Sequence, residues 1–99
     1  MNEKRQYPRK RVNISALFKG GKLALKRVQV RDISRGGLFI LVDTPPEVDA
    51  VVIVNLDTYE IGKDLSMKCR VVRSIPENGM GLAITTTTDD EHLREWLAK

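Results

Sequence analysis

The chain has almost nothing with which to build a metal centre or a nucleophilic active site: one cysteine, Cys69, and one histidine, His92, in 99 residues. A lone cysteine cannot close an internal disulfide, and Cys69 sits in an apolar alternation that reads as a buried core thiol. One Cys and one His make no metal-ligand cluster of the usual spacing. No nucleophile elbow, Walker A loop or dinucleotide fingerprint occurs either, so neither an enzyme nor a cofactor is expected. Aromatic side chains amount to 5% of the residues; Tyr7, Phe18, Phe39, Tyr59 and Trp96 are too scattered to form an exposed base-stacking platform. No apolar run approaches the ~18 residues a membrane helix needs, so membrane insertion is not expected. The N-terminus, MNEKRQYPRKR, lacks the apolar segment of a secretory signal and points to a cytoplasmic protein.

Acidic residues are scarce in one region in particular. Residues 1–35 carry eleven Lys and Arg but only Glu3 and Asp32 against them, whereas the whole chain is +4. A basic third of this kind suits an anionic partner, such as a nucleic acid, a nucleotide or acidic lipid, or is simply a solvated face. With 41% hydrophobic and 30% charged residues, the composition is that of a soluble globular domain, and the length suits one.

Residues 1–11 read as a flexible arm, since Tyr7-Pro8 discourages helix, and residues 12–99 as the folded domain. Val12, Ile14, Ala16 and Phe18 alternate with Asn13 and Ser15, as on a half-buried strand. Gly20-Gly21 signals a tight hairpin, with a return strand from Leu23 to about Arg31. Further strands are expected over Leu38–Val42 (ended by Thr44-Pro45-Pro46), Ala50–Leu56, Leu65–Arg73 and Gly81–Thr85, the last after a turn at Glu77-Asn78-Gly79. Thr88 and Glu91 form a capping-box pattern that opens a short helix, with Leu93, Trp96 and Leu97 on one face and His92 exposed. Six short strands and a terminal helix predict an all-β fold: a small antiparallel barrel that leaves no long edge exposed.

The stretch RDISRGGLFI, Arg31–Ile40, is unusually rich in special residues for a connector. A two-residue turn at Gly20-Gly21 pairs Phe18 with Leu23, and one bulge near Lys26-Arg27 then pairs Ile14 with Val28 and Val12 with Val30. Continued outward, that register brings Asp32 beside Arg9 and Lys10, so the basic arm and the glycine turn converge. Paired glycines let backbone N–H groups approach a ligand, and arginine forks match phosphate oxygens or the O6/N7 edge of guanine. A carboxylate suits the guanine N1–H and amino group. Together these residues fit a guanine nucleotide with phosphates.

RQYPR, Arg5–Arg9, fits an R-x-x-x-R motif, and DISRGG, Asp32–Gly37, fits D-x-S-x-x-G, the second starting 23 residues after the first ends. The pair, in this order around a first hairpin, resembles the PilZ domain family; RVVRS…NGMGLAI, Arg70–Ile84, resembles that family's last two strands. The resemblance implies a six-stranded PilZ-type β-barrel acting as a bacterial receptor for cyclic di-GMP. It implies ligand contacts from Arg5, Arg9, Asp32, Ser34 and Gly37. Gly36 matches a family variant with paired glycines, and Lys4 stands where a basic residue often accompanies a stacked ligand pair. Arg35 is read as solvated, and Arg70 and Arg73 as surface residues at sheet spacing. Output is expected to pass to an unidentified downstream protein. The alternatives are a ligand-free PilZ-fold interaction adaptor and, with less support, a small nucleic-acid-binding barrel.

Overall fold

In the computed structural model, which describes residues 9–20, 25–57, 61, 62 and 64–98, the alternating segments close into a barrel. The strands are β1 (Lys10–Gly20), β2 (Lys26–Ile33), β3 (Gly37–Leu41), β4 (Val51–Leu56), β5 (Leu65–Ile75) and β6 (Gly79–Thr87), followed by the helix α1 (Asp90–Leu97). Their order around the barrel is β1-β2-β3-β6-β5-β4, with β4 returning to pair with β1, and every ladder is antiparallel. Closure follows from the period of two. Ile14, Ala16 and Phe18, then Val28 and Val30, Val52 and Val54, and Met67, Cys69 and Val71 all point inward. The all-β barrel with one terminal helix is therefore the observed fold.

The first hairpin has a different register from the one expected. Phe18 pairs with Lys26 rather than Leu23, Ala16 with Val28, and Ile14 with Val30 rather than Val28. This alignment matches the buried faces of β1 and β2 directly, without a bulge at Lys26-Arg27. It leaves Leu25, which the two-residue turn would have placed in the core, 61% exposed. The irregularity falls instead between Arg11 and Ile14, and β1 already begins at Lys10. Gly21 and Leu23 lie outside the described residues.

The helix cap also differs. Asp89 is the N-cap, its Oδ1 accepting from the His92 backbone N–H at 3.0 Å. Thr88 is already committed to the sheet: its N–H donates to the Ser66 carbonyl at 3.0 Å, and its hydroxyl accepts from the Ser66 N–H at 3.1 Å. The helix then starts one residue later. Leu93 reaches the core with no exposure, and Trp96 and Leu97 pack partly against it. His92, expected in solvent, is half-buried, and its Nε2 donates to the Ile61 carbonyl at 2.8 Å. Among the described residues no helix is long and apolar enough to cross a membrane.

Candidate functional site

Among the described residues regular strand pairing fails at four places, and three of them adjoin one cavity. The breaks lie between Arg11 and Ile14 on β1, between Val30 and Asp32 on β2, and between Val71 and Arg73 on β5. A bulge adds a residue to one strand and re-aims the side chains around it. On β2 the extra residue is Arg31, since Val30 pairs with Ile40 and Asp32 with Phe39. The burial pattern records the effect: Arg31 is exposed, while Asp32, Ile33 and Ser34 are buried in succession.

The cavity encloses about 490 Å³ and is lined by Arg9, Arg11, Arg31, Asp32, Phe39, Val72, Arg73, Gly81 and Leu82. Four arginines surround one carboxylate, so the recess favours an anion. Asp32 is bound by two of them. Arg9 Nη1 donates to its Oδ1 at 2.5 Å, and Arg31 donates to its Oδ2 from Nε at 2.9 Å, with Nη2 in ion-pair contact with the same oxygen at 2.9 Å. The Asp32 side chain is 9% exposed, and a carboxylate so placed needs such partners to offset the loss of water. The Arg31 guanidinium lies 4.1 Å from the centroid of the Phe39 ring, in cation–π range.

The neighbouring turn is closed from within. The Ser34 N–H donates to the Gly37 carbonyl at 2.8 Å, its hydroxyl donates to the same oxygen at 3.3 Å, and the Gly36 N–H donates to the Ser34 hydroxyl at 3.3 Å. The Gly36 carbonyl accepts from the Ile84 N–H at 2.9 Å, which fastens the turn to β6. Gly37 is required by β6 as well, because a Cβ there would run into the Leu82 carbonyl oxygen.

Of the residues expected to bind ligand, the structure thus brings Arg9 and Asp32 together on the cavity wall. Ser34, Gly36 and Gly37 form the adjoining turn and do not line the cavity. Lys4 and Arg5 lie outside the described residues. Arg35 reaches toward the helix start, 3.9 Å from the Asp90 carboxylate, rather than standing free in solvent. Arg73 faces the cavity, whereas Arg70 sits 3.6 Å from Asp49 on an exposed surface.

Sequence reasoning missed Arg11, Arg31 and Phe39 as lining residues. The proximity of Arg31 to Asp32 was the available signal. Period-two alternation places neighbours on opposite faces, however, and only the bulge lets Arg31 reach back to Asp32.

Cys69 lies on the inner face of β5 with no exposure, and burial pushes its thiol up to about 12. No group of three metal-ligating side chains occurs among the described residues. The search of curated proteins finds no match. The family model of the PilZ domain does match, over residues 3–99, and its span includes both faces of the arginine-lined cavity, the glycine turn and all six strands. The chain belongs to the PilZ domain family.

Proposed function

We propose that this protein is a receptor for cyclic di-GMP, and that the arginine-lined cavity beside Asp32 is where the ligand binds. One observation carries the reading: Arg9 and Asp32, one from each of the two motifs, meet on the wall of a cavity that holds a fourfold excess of arginine over carboxylate. A cyclic dinucleotide combines two phosphate anions with guanine edges. Arginine forks serve the phosphates and the O6/N7 edge, and a carboxylate accepts from the N1–H and the amino group. Arg5 acts from the arm on phosphate and guanine, and Lys4, the basic residue before it, goes with binding of a stacked ligand pair. Ser34, Gly36 and Gly37 hold the turn that fixes Asp32. No catalytic step is assigned to the chain, which acts by binding alone in a cytoplasmic setting.

Binding requires Arg9 to exchange a carboxylate for phosphate. That exchange rearranges the junction between the arm and β1, and with it the surface offered to a downstream protein. An adaptor without ligand is the second reading, favoured by the Asp32 carboxylate being paired on both oxygens by the protein itself. Isothermal titration calorimetry with cyclic di-GMP, and with GTP and cyclic GMP as controls, separates the two. Saturable heat specific to the cyclic dinucleotide supports the receptor and counts the ligands. No heat and no rise in melting temperature would leave the adaptor.

A further inference from the structure

Arg31 belongs to neither motif, yet it makes the more elaborate of the two contacts to Asp32. Two of its nitrogens converge on Oδ2 at 2.9 Å, while Arg9 holds Oδ1 through one nitrogen. Its guanidinium also lies over the Phe39 ring, 4.1 Å from the centroid. Phe39 is itself fixed: it is 5% exposed, pairs with Asp32 and Gly81 across its two ladders, and occupies the space that a Cβ on Gly79 would need. The bulge makes Arg31 the unpaired residue of β2, which frees its side chain for this position.

We infer that Arg31 is a positioning residue of the cavity, holding Asp32 oriented and charge-compensated when Arg9 leaves it for the ligand, and that Phe39 sets the place of Arg31. The inference rests on the cyclic di-GMP reading. Its physical basis is a division of labour between two arginines. If Asp32 had Arg9 as its only cation, drawing Arg9 to a phosphate would strand a buried carboxylate at the moment it must meet guanine. With Oδ2 kept by Arg31, the departure of Arg9 leaves Oδ1, on a cavity-lining residue, free to accept from both the N1–H and the amino group of guanine. The Arg31 role depends on a planar fork and a stacked face, so a point charge cannot replace it.

The test is a titration series with cyclic di-GMP on wild type, Arg31→Ala, Arg31→Lys, Asp32→Ala and the double variant Arg31→Ala/Asp32→Ala, with melting curves to establish folding. Arg31→Ala is expected to weaken binding about tenfold, and Arg31→Lys by nearly as much despite its charge. In the Asp32→Ala background, removing Arg31 should cost less than about twofold more, because the residue acts through Asp32. Phe39→Leu, which keeps Arg31 and an apolar core, provides an independent variant and should lose about threefold. Full rescue by lysine, or additive effects of Arg31 and Asp32, would show direct charge contact with the ligand and overturn the inference. Wild-type affinity in Arg31→Ala would overturn it too while leaving the receptor reading intact. Failure of wild type to bind would remove both.

Discussion

The two sides of this barrel are built on opposite terms. Around β4, the ladders to β1 and β5 run without a register break from Ala16↔Leu56 to Gly20↔Val52 and from Val51↔Arg70 to Leu56↔Leu65. Val52, Val54 and Leu56 alternate inward there with almost no exposure. Around Asp32, each of β1, β2 and β5 loses register, and Arg11, Arg31, Val72 and Arg73, at or beside those breaks, line the larger of two hollows. A second hollow, of about 250 Å³, does lie beside β4, yet it holds Arg27 with Asp57 and Asp64. A recess is therefore not what sets the candidate site apart. Bulges that gather like charge around one carboxylate do so, and the regular side supplies the closure that lets them persist.

If stability resides on the regular side, truncation there should cost most. Met67, fully buried opposite Val54, should lose about 2–5 kcal/mol of unfolding free energy on Met67→Ala, read from urea denaturation. Cyclic di-GMP affinity of the folded fraction should stay near wild type.

The reverse is expected across the cavity. Arg9→Ala should weaken cyclic di-GMP binding by at least ~30-fold, or about 2 kcal/mol, because it removes a charged fork while Arg31 still holds Asp32 in the free protein. Its melting temperature should stay within about 4 °C of wild type. A folded Arg9→Ala variant that binds as well as wild type would break the contrast.

The buried thiol provides a pH-dependent check. Cys69 keeps its proton to about 12 when folded, whereas an unfolded thiol releases it near 9. The unfolded state is therefore the one that gains from thiolate formation. The contribution of Cys69 is fully present below about pH 9 and declines as pH rises toward 12. Denaturation at pH 7 and pH 10 should show Cys69→Ala losing less stability than wild type over that interval. An equal decline in both would place the alkaline sensitivity elsewhere.

The smallest effect sharpens the comparison from outside the cavity. Arg70 and Asp49 stand 3.6 Å apart with side chains 56% and 76% exposed. Arg70→Ala should change stability by less than about 0.5 kcal/mol and leave ligand affinity within about twofold. Arg73→Ala, from a position three residues along β5 but on the cavity wall, should weaken binding by more than that. Raising salt from low to moderate concentration should lower the affinity of wild type more than that of Arg73→Ala.

Much of this was legible because apolar side chains in strands obey a short-range rule. Alternation in Val12–Phe18 and the short strand-like segments Ala50–Leu56 and Leu65–Arg73 were enough to predict strands there, and the terminal change of period was enough to predict the helix. The two motifs pointed to Arg9 and Asp32 before any contact was known. Thr88 illustrates where such reading stops: its spacing to Glu91 is that of a helix cap, but Ser66, 22 residues earlier, already holds its hydroxyl. Local pattern cannot anticipate a competing partner so far along the chain.

The barrel class, the basic character of the first third and the motif residues can be read from the amino acids in order, since each depends on residue type and short spacing. Closure of the whole sheet set the register of the first hairpin and the places where pairing breaks. It also decided the company of Asp32: Arg31 from the next position, Arg9 from 23 residues away, and Phe39 and Arg73 from facing strands. The physical reason is that a one-residue bulge reverses which face a side chain occupies, and whether it is tolerated depends on the packing of the whole closed sheet.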